Sequence, residues 1–217
     1  MKILKSLFGF KKSRLIRIFI LIIIALHFNS CMMCNVFSKQ FYFEKEGGVR
    51  PGKNRFKFRK NPYILKQQDL LKTDCVYLLC SAKKEDKLKD TSKNCISQNS
   101  KNQFIRFFKN GRFITNRLDP SKKTRLEQYN NLKRGKVGYY KIVDNELILE
   151  YFAVKLGGMS ADCGKYYRDK YKMTEKEIIL KSERRSASGT FYAWSTVKTD
   201  TRYQKINIEG LTGEPNW

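Results

Sequence analysis

The chain is expected to be mainly β, an antiparallel meander curled into a barrel or half-barrel with one short helix. Three observations predict this. Two turn pairs, Asn110-Gly111 and Asp144-Asn145, each separate two apolar runs, the pattern of a tight hairpin. Eight or nine short strand-like runs follow one another between residues 70 and 209, as in a meander that closes on itself. Only residues 121–132 combine helical spacing with start and stop signals.

Residues 1–30 read as a signal peptide. Lys2, Lys5, Lys11, Lys12, Arg14 and Arg17 come first, and an uncharged apolar run, Ile18-Phe-Ile-Leu-Ile-Ile-Ile-Ala-Leu26, follows. A spanning helix needs about 20 apolar residues. The uncharged run is shorter, and extending it backwards would bury Arg17 and Arg14, so cleavage is favoured over an uncleaved anchor. Ser30-Cys31 ends the segment as a bacterial lipoprotein signal ends, with a small residue before the cysteine that becomes the acylated N-terminus. Phe28 stands where Leu is preferred, and Cys34 is a poorer candidate because Met33 precedes it. Acyl chains such as palmitate on Cys31 would supply about 0.8 kcal/mol per buried methylene. The competing route is a plain secretory cut that leaves Cys31 an ordinary cysteine.

Residues 31–69 follow as the lipidated N-terminus and a basic tether of little regular structure, with Gly47-Gly48 and Pro51-Gly52 as breakers. Within it, alternation puts Arg55, Lys57 and Arg59 on one side and Phe56 and Phe58 on the other, with Lys60 next. Interleaved charge and rings make Arg55, Lys57, Arg59 and Lys60 a candidate polyanion-binding strip. The same pattern suits an edge strand with a wet outer face, or a tether lying on a membrane surface.

Residues 70–209 form the expected β domain. A first strand spans 76–79. The Asn110-Gly111 hairpin, read as a type I′ turn, sets Phe108 opposite Phe113 and Phe107 opposite Ile114. A helix over 121–132 would be capped by Ser121, would turn Leu126 and Tyr129 inward and would end at Gly135. The Asp144-Asn145 hairpin sets Tyr140 opposite Leu149 and Ile142 opposite Leu147 on a core face. Tyr139, Lys141, Val143, Glu146, Ile148 and Glu150 lie on a mixed, wet face. Further strands are expected at 166–172, 177–182, 190–197 and 202–208. Residues 210–217 read as a loose C-terminal tail, from which Trp217 could dock.

The chain carries a net charge of +25, and a product starting at Cys31 would carry +19 after losing six basic residues. Such a surface attracts polyanions. For an exported chain, lipopolysaccharide or acidic glycan is favoured over nucleic acid. The basic residues have no single focus, which also suits a plain solvated lysine-rich surface. The six cysteines are residues 31, 34, 75, 80, 95 and 163, and an oxidising compartment permits disulfides. Cys80 and Cys95 flank a lysine-rich loop and are the favoured pair. Only Cys31 and Cys34 have C-x-x-C spacing, so no metal site is expected. The single histidine, His27, lies in the signal, so a cleaved product has no Ser-His-Asp or Cys-His machinery.

Other constellations fail on geometry. Gly158 and Gly164 before Lys165 have the wrong spacing for a phosphate loop, and Tyr166 replaces the Ser/Thr. Glu146 and Glu150 on one strand stand about 13 Å apart, beyond the roughly 5–9.5 Å of glycosidase pairs, and read as solvated surface carboxylates. Cys163, beside Ser160 and Asp162, lacks a histidine to activate it and reads as structural. The aromatic-rich strands either fill the barrel or line an apolar ligand cavity, both open to about eight strands.

Three blocks together carry a resemblance: Leu70-Leu-Lys-Thr-Asp-Cys-Val-Tyr77; Phe104-Ile-Arg-Phe-Phe-Lys-Asn-Gly-Arg112; and Gly138-Tyr-Tyr-Lys-Ile-Val-Asp-Asn145 with Leu147-Ile-Leu-Glu-Tyr-Phe152. They resemble small, uncharacterised exported lipoproteins of Bacteroidetes-type bacteria with a lipocalin-like β-meander. The resemblance implies an outer-membrane lipoprotein of the cell envelope with no assigned reaction. The chain is therefore expected to be a non-enzymatic, cofactor-free lipoprotein. Its expected role is structural or in binding an envelope component or small apolar ligand. The alternative is a polyanion-binding module.

Overall fold

A computed structural model describes Ile16 and residues 41–80, 103–121, 124–154, 164–187, 190–191, 194–196 and 201–217, with backbone alone at 185–187 and 190–191. Residues 1–15 and 17–40, with Cys31 and Cys34 among them, and Cys95, Ser160, Asp162 and Cys163 lie outside the described residues.

Eight antiparallel strands close into a barrel. They are β3 (Cys75–Cys80), β4 (Gln103–Phe107), β5 (Arg112–Arg117), β6 (Lys136–Val143), β7 (Glu146–Ala153), β8 (Lys165–Met173), β9 (Glu177–Ala187) and β12 (Arg202–Asn207). Each pairs with the next, and β12 closes the ring by pairing with both β9 and β3. Full closure leaves these strands no free edge. Two short strands, β10 (Thr190–Phe191) and β11 (Ser195–Thr196), pair with β9, and β1 (Phe41–Phe43) and β2 (Val49–Pro51) form a separate hairpin.

The second hairpin has the expected register: Tyr140 faces Leu149 and Ile142 faces Leu147. Asp144 and Asn145 both take positive φ, 51° and 61°, as a type I′ turn requires. The first hairpin corrects the expectation by one residue. Phe107, not Phe108, faces Phe113. Only Gly111 has positive φ, +74°. Its N–H donates to Phe108 O, and Phe108 N donates to Arg112 O at 2.9 Å. Lys109-Asn110-Gly111 is thus a three-residue loop with a glycine bulge rather than a two-residue turn. The slip changes which ring is inside. Phe107 and Phe113 enter the barrel, while Phe108 packs outside with Ile114 and Val137.

The helix is shorter than expected. α1 spans Arg125–Asn130, Thr124 occupies the N-cap without a side-chain bond, and Asn131 ends it. Ser121 instead donates to Asp119 Oδ1 at 2.6 Å. Tyr129 is buried, but Leu126 is exposed.

The barrel has two unlike ends. The turn end carries the tight connections after β4, β6 and β8. The loop end carries the four longer ones, 81–102, 118–135, 154–164 and 188–201. The turn end is plugged by the segment before β3. Tyr63 packs on Tyr140, Leu65 N donates to Lys109 O, and Leu71 is 1% exposed in the core.

Residues 41–69 and 210–217 are not loose in their described parts. Phe41 and Phe56 pack with Tyr139 and Phe152 on the outer wall, and Trp217 joins the same cluster. Tyr139 donates its hydroxyl to Trp217 O at 3.0 Å. Val76, Phe104, Leu118 and Tyr129 form another outer cluster beneath Ile208 and Leu211. The outer face of β6 and β7 is therefore dry along much of its length, because residues 41–58 and Trp217 cover it.

Candidate functional site

The basic strip divides on the structure. Arg55, Lys57, Arg59 and Lys60 are exposed. Phe56 is 3% exposed, its ring 5.0 Å from Tyr166 and 5.2 Å from Tyr139. Phe58 lies under the Arg168 guanidinium at 4.4 Å. The strip is a strap rather than a strand. Arg55 N donates to the Tyr166 hydroxyl, which donates to Lys53 O. The rings that would stack on a polyanion's bases are committed to the barrel wall.

Glu150 is likewise not a solvated surface carboxylate. It is fully buried and accepts from Arg168 at 2.8 Å and from Phe58 N at 2.8 Å. Its register partner Tyr139 faces outward as expected; the Phe58 strap excludes the water. Glu146 stays near the surface and pairs with Lys170 at 2.9 Å. Much of the arginine charge has a structural role. Arg50 donates to Leu132 O and Gly135 O, and Arg106 to Tyr129 O, Asn130 Oδ1 and Thr212 O. Cys80 is disulfide-bonded. Cys75 is a free, buried thiol pushed up to about 11 by burial.

Sequence reasoning missed the most unusual group, Asp169. Alternation along β8 points Tyr167, Asp169, Tyr171 and Met173 into the barrel. Asp169 faces Leu149 of β7 on one side and Glu183 of β9 on the other. It is 7% exposed. The Tyr171 hydroxyl donates to its Oδ2 at 3.4 Å, and the Tyr151 hydroxyl is near enough to influence its charge. Among the described residues, Oδ1 has no hydrogen-bond partner.

The electrostatics follow from this placement. Burial, and then the charge of Glu183, push the Asp169 carboxyl up to about 7. Tyr151, the bond from Tyr171 and the charge of Lys136 act the other way. Burial, with Asp169 adding to it, raises the Tyr151, Tyr171 and Tyr203 hydroxyls, so all three are neutral donors at ordinary pH. Lys136, at the rim of the loop end, holds its ammonium 5.6 Å over the Tyr151 ring. Desolvation lowers its pKa against the pull of Asp169.

The interior is thus graded. Toward the turn end it is apolar, with Phe107, Phe113, Leu147, Met173 and Ile178. Toward the loop end come Asp169 and then the stacked rings of Tyr151 and Tyr167, 5.4 Å apart at 13°. Such a gradient suits recognition of a molecule with an apolar body and one polar group. Among the described residues no three His, Cys, Asp or Glu side chains converge as a metal site would need. Comparison with protein-family models, curated proteins and solved structures finds no match to this chain.

Proposed function

We propose that this chain is an exported lipoprotein, anchored to the outer membrane through Cys31, whose barrel binds a small amphiphilic molecule of the cell envelope. The observation that carries the binding reading is the graded interior, with a buried, incompletely partnered carboxyl toward the loop end. The basic–apolar–Ser30-Cys31 order of the N-terminus supports export and acylation. The Cys80 disulfide supports an oxidising compartment. The lack of any histidine after His27 favours binding over turnover. The exposed Arg55, Lys57, Arg59 and Lys60 favour a second reading, attraction of envelope polyanions by charge alone.

The test is mass spectrometry of the membrane-extracted protein, denatured and native, beside Cys31→Ser. The expected mass begins at Cys31 with acyl chains, lost in the variant, and the native spectrum carries a bound small molecule. An N-terminus retaining His27 overturns the lipoprotein reading. A salt titration separates the second reading, because polyanion binding collapses with rising salt and binding inside the barrel does not.

A further inference from the structure

We propose that the barrel lies on its strap side against the anionic surface of the membrane in which Cys31 anchors it, with the strap and the outward cations of β8 facing the lipid headgroups. This inference rests on the lipoprotein reading above and adds which face of the molecule meets the membrane.

Folding gives the basic residues a focus that their order in the chain does not have. Alternation along β8 points Arg168, Lys170 and Lys172 outward, away from Asp169 and Tyr171. Arg184 of β9 stands opposite Arg168, and Lys141 of β6 and Lys170 flank Ile148 of β7. The strap crosses this wall at Phe58, whose ring takes the Lys141 ammonium at 5.1 Å and the Arg168 guanidinium at 4.4 Å. It sets the exposed Arg55, Lys57, Arg59 and Lys60 beside them. The acidic groups nearby are matched. Glu150 pairs with Arg168, Glu146 with Lys170, Glu44 with Arg50 and Glu177 with Arg202. Glu46 and Glu175 stand next to Lys45 and Lys176 in their turns. Among the described residues of this side, Asp144 is then the one carboxylate set against Arg55, Arg59, Lys60, Lys141 and Lys172.

Two further observations favour a bilayer over a soluble polyanion. Phe41 packs with Phe56 and Tyr139, so the chain reaches the barrel on this same wall. The ten residues from Cys31 to Phe41 span at most about 36 Å, which keeps this side close to the anchor. Beside Phe41, Tyr42 and Phe43 are 53% and 48% exposed. Trp194 has Lys170 at 5.2 Å and Arg184 at 4.8 Å over its ring. Rings interleaved with cations suit the headgroup layer, where the rings sit and the cations meet lipid phosphates. A polyanion tracked by stacking would need the faces of Phe56 and Phe58, which are committed to the wall.

The test is lysine acetylation footprinting, read by mass spectrometry, of the full membrane-extracted protein in phosphatidylcholine vesicles with and without phosphatidylglycerol. Lys57, Lys60 and Lys172 report the proposed face. Lys72 precedes β3 and Lys109 follows β4, across the ring from β7 and β8, and these two report the opposite side. Phosphatidylglycerol is expected to slow labelling of the first three at least about fivefold, the effect of roughly one cation at an anionic surface. Lys72 and Lys109 should not change. Arg55→Glu combined with Arg59→Glu, both exposed positions, should remove the difference while the anchor still holds the protein on the vesicle, and Tyr42→Ser should weaken it. Circular dichroism confirms that each variant folds. Labelling unchanged by phosphatidylglycerol, or slowed equally at all five lysines, overturns the assignment and leaves the anchor standing. Protection of Lys57, Lys60 and Lys172 by soluble polygalacturonate but not by phosphatidylglycerol overturns it in favour of the polyanion reading. A protein found without acyl chains fails the lipoprotein reading alone, because vesicles added to it give the same comparison.

Discussion

At Asp169 a carboxyl that prefers its neutral form is kept inside the barrel. Its ordinary value of 3.8 rises to about 7 because burial and Glu183 disfavour the charge more than Tyr151, Tyr171 and Lys136 favour it. Between those values the folded chain holds a proton that the unfolded chain has released. Stability therefore falls as pH rises through that window, by at most about 1.4 kcal/mol per pH unit from this one group. Asp169→Asn lacks this dependence. Urea unfolding should show the variant gaining on wild type from pH 4 to 8; a constant difference would mean that the carboxyl does not titrate there. Glu150 poses the opposite problem, an ionised group with no water, held by Arg168 and Phe58 N. Arg168→Met should cost about 3–5 kcal/mol because it strands that charge. Adding Glu150→Gln should recover part of the loss, a coupling that a double-mutant cycle measures. Neither environment is legible in sequence. A lone Asp among inward-facing tyrosines was visible in the alternation of β8, but its burial depends on closure of the ring. Glu150 reads as surface by register and is dry only because Phe58 lies over it.

At the level of elements, the two hairpins show how far turn chemistry specifies register. Asp144-Asn145 sits between runs of matching polarity, and one register alone keeps Tyr140, Ile142, Leu147 and Leu149 together. Phe107 and Phe108 are both large and apolar, so local pattern permits either to face inward. Contacts from distant segments decide: Gly111 meets Tyr63 from the plug, and Phe108 meets Trp217 from the C-terminus. A Cβ at Gly111 would lie 2.4 Å from Tyr63 O, with φ at +74°. Gly111→Ala should therefore cost more than the roughly 1 kcal/mol typical of glycine conformational effects. Asn145→Gly, at a left-handed position in open solvent, should instead raise the melting temperature slightly. A melting temperature unchanged by Gly111→Ala would mean that the plug does not press on this turn. The helix shows the limit of cap signals: Ser121 has the right chemistry, but Asp119 takes its hydroxyl and helical geometry begins after Thr124.

On the scale of the whole molecule, residues 41–58 and the C-terminal segment act as the barrel's outer layer. Trp217 touches the clusters built on Tyr139 and on Phe108, and Pro215 O accepts from Arg112 at 2.6 Å. Deleting residues 210–217 should lower stability by about 3 kcal/mol, the scale of losing one large aromatic from a packed site; a thermal melt unchanged by the deletion would make the tail dispensable. By itself the sequence determined the class of fold, most of the barrel's strands and the second hairpin's register, because alternation and turn residues act over a few neighbouring residues. Tertiary structure alone decided which faces are dry, which of two adjacent phenylalanines is inside, and that Asp169 meets Glu183 within a sealed ring. Those outcomes depend on segments far apart in the chain meeting in space, and burial is a property of the meeting rather than of any residue's neighbours in sequence.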